Sequence, residues 1–106
     1  MGVNISEHAA ERAKSRFSLK RDALERLAER ALWEGIGHRQ ANGRLKRYFD
    51  MLYLQNRTAN NVRIYGEVVF LFNGDTLITL WRVPANMMKI VRRLQDKNKS
   101  ATERGE

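Results

Sequence analysis

The clearest alternation of apolar and polar positions runs from Asn61 to Val83, NVRIYGEVVFLFNGDTLITLWRV. Its β-branched and aromatic residues form three short runs, interrupted at Gly66-Glu67 and at Asn73-Gly74-Asp75, and this spacing predicts an antiparallel meander. Asn-Gly favours a tight turn because both residues accept positive φ. With two-residue turns, Ile64 falls opposite Val69, Leu71 opposite Thr76, and Val69 opposite Ile78. That register gathers Val62, Ile64, Val69, Leu71, Ile78 and Leu80 on an aliphatic face that belongs against a core. Arg63, Tyr65, Val68, Phe70, Phe72, Leu77, Thr79 and Trp81 share the opposite face. Rings beside an arginine on an open sheet can stack bases and hold phosphates; under a helix they are a second core.

Before the meander the period changes to that of a helix. Ile5, Ala9, Ala13 and Phe17 recur at helical spacing with Ser6 placed to cap them, and His8, Arg12 and Arg16, four apart, form a cationic stripe alongside. Phe17-Ser18 reads as a break, with Ser18 or Asp22 as the next cap. Leu24, Leu27, Ala28, Ala31 and Leu32 then mark a second helix, which Gly35 or Gly37 can end in the left-handed region. GHRQANG, residues 37–43, reads as a flexible basic loop. Leu45, Tyr48, Phe49, Leu52 and Tyr53 predict a third helix from Arg44 to about Gln55, with short strand structure as the competing reading and a Lys46–Asp50 pair one turn apart. Pro84 ends the last strand, and Met87, Ile90, Val91 and Leu94 fit a closing helix capped by Asn86.

The expected fold class is therefore α+β: N-terminal helices packed on a three-stranded antiparallel meander, with a closing C-terminal helix. The second and third helices are expected over the aliphatic face. Residues 1–96 read as a single basic domain and 97–106 as a mobile polar tail.

Composition narrows the function. The 106 residues hold no Cys and no run apolar enough to span a bilayer, and Met1 to Ser18 is too charged for a signal peptide, so a cytoplasmic protein without membrane contact is expected. The formal charge of +8 is concentrated: between Glu34 and Glu67, Arg39, Arg44, Lys46, Arg47, Arg57 and Arg63 face Asp50 as the only acid. Asp22, Glu25 and Glu29, by contrast, interleave with Arg21, Arg26 and Arg30 as on an ordinary solvated helix. Concentrated cations point to a polyanion, RNA before DNA, or to a nucleoprotein complex.

No phosphate-binding loop, dinucleotide fingerprint or nucleophile elbow is present, and no metal or other cofactor is expected from the spacing of His, Asp and Glu. Metal-independent RNA cleavage needs only a base for a 2′-hydroxyl, a cation for the phosphorane charge and an acid for the departing 5′-oxygen. His8 and His38 are the candidate base and acid, histidine being the side chain whose intrinsic pKa of about 6.5 suits proton transfer near neutrality. Arg12, Arg63 and Arg82 are candidate charge stabilisers, and Tyr65 and Thr79 candidate donors. The candidate catalytic set is His8, His38, Arg63 and Tyr65. The candidate nucleic-acid contacts are Arg12, Arg16, Arg39, Arg44, Lys46, Arg47, Arg57, Arg63, Tyr65, Trp81 and Arg82.

Ser6, His8, Ala9 and Arg12 make a Ser-x-His-Ala-x-x-Arg pattern within ISEHAAERAKSRF, and with a helical first half and a late meander the chain resembles small bacterial and phage proteins. More distantly it resembles the RelE-like and EndoU-like ribonuclease fold of toxins. That resemblance implies RNA as substrate and a site on the open sheet face fed by a histidine from the helices. Three classes are open: an RNA-binding domain, binding alone or also cleaving as a metal-independent endoribonuclease of toxin type with an inhibitory protein partner; a non-enzymatic phage or mobile-element factor that binds and inhibits a host nucleoprotein complex; or a structural, self-associating protein. The oligomeric state is left open by the sequence.

Overall fold

The computed structural model describes residues 2–104, and their side chains through Lys97. The order is β1 (Asn4–Ile5), α1 (Glu7–Phe17), α2 (Arg21–Glu34), a 3-10 turn (His38–Gln40), α3 (Gly43–Gln55), β2 (Asn61–Tyr65), β3 (Val68–Asn73), β4 (Thr76–Arg82), a second 3-10 turn (Ala85–Met87) and α4 (Met88–Arg104). Among the described residues the fold is α+β, with four helices around one four-stranded sheet in the order β1-β4-β3-β2. The expected meander is present as β2-β3-β4, and the two-residue β1 adds a fourth, parallel strand beside β4. α4 runs on to Arg104 through most of the segment expected as a tail, while Gly105 and Glu106 lie outside the described residues.

Pairing of β2 with β3 follows the expected register, Ile64 opposite Val69. The second hairpin does not. Its turn is Gly74-Asp75, so Asn73 pairs with Thr76, and an extra residue at Ile78 forms a bulge beyond which Leu71 pairs with Thr79 and Val69 with Trp81. Because side chains alternate along a strand, this slip exchanges Leu80 and Trp81 between faces. Phe70, Phe72, Leu77 and Leu80 therefore share one face, and Val62, Ile64, Val69, Leu71 and Trp81 the other.

Both faces are covered. α1 and α2 close over Phe70 and Phe72, with Ala9, Ala13, Leu24, Ala28 and Ala31 fully buried between them. Small residues let these helices sit close to the sheet. α3, the second 3-10 turn and α4 close over the aliphatic face through Leu45, Phe49, Leu52, Met87 and Val91. The expectation that the second and third helices cover the same face is thus corrected: they lie on opposite sides, and a three-layer arrangement results.

Local chemistry explains the helix ends. Ser6 Oγ accepts from the Ala9 N–H at 3.1 Å as the cap of α1 and donates to the Ile78 carbonyl at 2.9 Å, which ties the helix start to the bulge. Ser18 caps the end of α1 in the left-handed region, φ 54°, and α2 starts after Lys20 with no side-chain cap, so neither Ser18 nor Asp22 plays the role expected. Gly35 and Gly37 are not left-handed. They are needed for close approach: a Cβ at Gly35 would lie 2.4 Å from the Ala31 carbonyl oxygen and 3.1 Å from that of Ile64.

The sheet's outer edges are partly occupied. Ile36 and Ile64 exchange backbone hydrogen bonds of 2.7 and 2.9 Å, the Tyr53 hydroxyl accepts from the Val62 N–H, and Arg21 Nη2 donates to the Ile5 carbonyl at 2.9 Å. Replacing Phe72 by Ala removes a fully buried ring and is expected to lower stability by about 3–5 kcal/mol, read as the shift of the urea midpoint at constant slope. Gly35→Ala is expected to destabilise as well, through backbone collision and not through loss of apolar area.

Candidate nucleic-acid interface

A solvent-facing aromatic platform is not formed. Phe70 and Phe72 are stacked at 6.4 Å between centroids and wholly inaccessible beneath α1 and α2. Trp81 projects from the other face, half-buried, with its indole N–H donating to the Tyr48 hydroxyl at 3.1 Å. Burial raises the Tyr48 pKa above 10.0, and the hydrogen bond from Trp81 pulls in the opposite direction. Tyr65 is half-buried against the α1–α2 layer, and the Thr79 hydroxyl is buried with no hydrogen-bond partner among the described residues. The exposed tryptophan is Trp33 on α2, at 76%.

The two histidines lie in different layers. His8 is exposed on α1, one turn before the half-buried Arg12 and two before the exposed Arg16. His38 begins the 3-10 turn that leads into α3, where its Nε2 lies 2.7 Å from Asp50 Oδ1 and its ring meets Phe49 and Tyr53 edge-on at 6.0 Å. Asp50 thus engages His38, where the one-turn pairing with Lys46 was expected. Both partners keep over a third of their side-chain surface, 37% and 53%, so this pair contributes little to stability, about 0–1 kcal/mol. Its interest is chemical: an accessible imidazole oriented by a carboxylate.

Arg63 is held at the outer edge of the sheet. Its Nε donates to Asn61 Oδ1 at 3.0 Å and its Nη1 to the Gly35 carbonyl at 3.3 Å. Arg82, at the far end of β4, places its guanidinium over the Phe17 ring at 5.3 Å and joins the α1–α2 side.

The remaining cations are sorted by layer. Residues 7–34, which supply α1 and α2, carry seven Lys and Arg against six Asp and Glu. Residues 38–57 with 88–97, which supply the opposite layer, carry Arg39, Arg44, Lys46, Arg47, Arg57, Lys89, Arg92, Arg93 and Lys97 against Asp50 and Asp96, nine cations to two acids. All nine are exposed. Among the described residues only Arg92 of this set finds a carboxylate, Glu67 at 2.9 Å. The α4 cations were not among the sequence candidates, although Lys89, Arg93 and Lys97 recur every four residues and that period marks one helix face. Beside Arg44 and Arg47, the same outer side of α3 exposes Met51 and Leu54.

Among the described residues no group of three or more His, Asp or Glu side chains is placed to hold a metal, and no helix is long and apolar enough to cross a membrane. Comparison of the chain with models of known protein families, with curated proteins and with solved structures gives no match.

Two optical measurements check the placement of the rings. Acrylamide is expected to quench the Trp33 component strongly and the Trp81 component weakly, so Trp33→Phe removes most of the quenching and Trp81→Phe little. For Tyr48 the folded pKa is raised, so its contribution to stability is complete below about pH 10 and is lost as pH rises through the folded value. The urea midpoint is expected to fall more steeply above that pH in wild type than in Tyr48→Phe.

Proposed function

We propose that this protein binds RNA through the cationic layer formed by α3, α4 and the loop before α3. The observation that carries the reading is the separation of charge across the sheet: seven cations to six acids on one side, nine to two on the other. A cationic face releases counterions from a phosphate backbone on contact, which favours binding without sequence selectivity. With Phe70 and Phe72 sealed, base stacking on the sheet has no part in the proposal, and contact falls to Arg and Lys side chains on helix surfaces, with Met51 and Leu54 beside them. The resemblance carried by Ser6, His8, Ala9 and Arg12 favours RNA over DNA as the polyanion, while those residues themselves lie at the start of α1 on the neutral layer and supply no contact in this proposal.

Fluorescence anisotropy with labelled RNA, and duplex DNA as the comparison, tests this. Binding is expected to weaken by orders of magnitude between about 50 and about 200 mM salt. Arg44→Ala with Arg47→Ala, and separately Lys89→Ala with Arg93→Ala, should each weaken it by about tenfold, while Arg26→Ala with Arg30→Ala on the neutral layer should not. Absence of binding at the lower salt, or equal losses from both layers, would remove the reading; a protein partner that stays bound after nuclease treatment would favour docking on a nucleoprotein instead.

One observation favours a second reading, cleavage. The His38–Asp50 pair lies within the cationic layer, so an imidazole there can take the proton of a 2′-hydroxyl as the 2′-oxygen attacks the adjacent phosphorus. The phosphorus–5′-oxygen bond then breaks, and the 5′-oxygen takes a proton from the imidazolium or from water, leaving a 2′,3′-cyclic phosphate and a 5′-hydroxyl. In EDTA, wild type should cleave RNA, and His38→Ala should bind it without cleaving. RNA left intact by wild type would confine the function to binding.

A further inference from the structure

We propose that Arg63 is a preorganised receptor for one phosphate group at the edge of the sheet. The identity of the ligand as an RNA phosphodiester rests on the RNA reading; the receptor itself rests on geometry. The side chain is half-buried in the edge strand β2 and lies against the segment Gly35-Ile36-Gly37. That segment is pinned to the strand by the two backbone hydrogen bonds between Ile36 and Ile64. A Cβ at Gly37 would lie 3.2 Å from Arg63 Nη1, and one at Gly35 would lie 3.2 Å from Arg63 Cβ, so the absence of side chains at both positions makes the channel the arginine occupies.

The hydrogen-bond partners in that channel are neutral. Asn61 Oδ1 and the Gly35 carbonyl take one N–H each, and no carboxylate pairs with Arg63 among the described residues. A guanidinium carries five N–H donors in a planar fork that matches two oxygens of a phosphate, so donors remain after both contacts are made. A partly desolvated cation without a counter-charge is unfavourable, and an arriving anion relieves that cost without first having to order the side chain. The position also suits the ligand. Arg63 stands opposite Phe70 and so leaves the strand on the α1–α2 side, but it lies against Gly35-Ile36-Gly37, which runs directly into His38 and Arg39; the guanidinium thus sits at the margin where the end of α2 meets the start of the cationic layer. A pure clamp between strand and loop would need the same two hydrogen bonds but would not respond to phosphate.

Two measurements separate these roles. In ¹⁵N-labelled wild type at low salt, the Arg63 Nε–H resonance is expected to shift saturably with inorganic phosphate, while that of Arg26 on the neutral layer stays in place. In RNA binding, Arg63→Lys keeps the charge and loses the fork, and Gly37→Ala keeps Arg63 but crowds Nη1. Each should weaken binding by about tenfold and make the salt dependence shallower by about one phosphate contact, with urea midpoints showing both variants folded. Should wild type bind RNA while both variants match it in affinity and slope, the receptor is overturned and the RNA reading stands. Should RNA fail to bind while phosphate still moves Arg63, the RNA reading falls and the receptor stands for a smaller phosphate ester. If neither RNA nor phosphate has an effect, both fall.

Discussion

Strand β3 is apolar on both sides, and this constraint shapes the molecule. Val69 and Leu71 point to one face, Phe70 and Phe72 to the other, and all four are fully buried. A strand with apolar side chains on both faces must be covered twice, and the chain supplies one pair of helices before the sheet is built and a second pair that flanks the meander in sequence. The bulge at Ile78 fits β4 to this demand by turning Leu80 toward the phenylalanines and Trp81 toward Tyr48. Once both faces are closed and the edges are engaged by Ile36, Tyr53 and Arg21, the sheet is a scaffold, and the surfaces left for contact are the helix faces, the loops and the margin where Arg63 lies.

What the sequence disclosed follows from the range of each signal. Helical period and strand alternation are local, so all four helices and the three meander strands could be read, as could the Ile64–Val69 register set by the short turn between them. β1 is two residues long and has no pattern of its own; it exists because the Asn4 and Ser6 N–H groups donate to the carbonyls of Asp75, in the turn before β4, and Leu77, in β4. The bulge leaves no mark in Asp75-Thr76-Leu77-Ile78, and a slip of one position moved Leu80 and Trp81 to the wrong faces. Alternation also cannot say which helix covers which face. That choice depends on side-chain volume, with the alanines of α1 and α2 admitting Phe70 and Phe72 beneath them.

The candidate interface was legible in its parts but not in its arrangement. Arg39, Arg44, Lys46, Arg47 and Arg57 stand out as charges in the sequence, yet their joining with Lys89, Arg93 and Lys97 needs α3 and α4 on one side of the sheet. His38 and Asp50 are twelve positions apart with a 3-10 turn and a helix start between them, so their 2.7 Å contact is tertiary. Gly35 and Gly37 were visible as glycines, but the sequence suggested a conformational reason where the structure has a packing one.

Charge separation of this kind works against folding. Nine cations on one helical layer repel one another, and the Debye length of about 8 Å at physiological ionic strength leaves neighbours on the same helix only partly screened. The layer does little to relieve itself: Glu67 takes Arg92, and Asp50 is engaged by His38. The other layer shows that this chain can interleave opposite charges where only solvation is required, as Glu25, Arg26, Glu29 and Arg30 do along α2. Both layers face the same solvent, so solvation by itself does not call for a contrast between them. An external polyanion would supply the missing counter-charge, and a guanidinium already held at the margin by Asn61 and the Gly35 carbonyl would meet it with little ordering left to do.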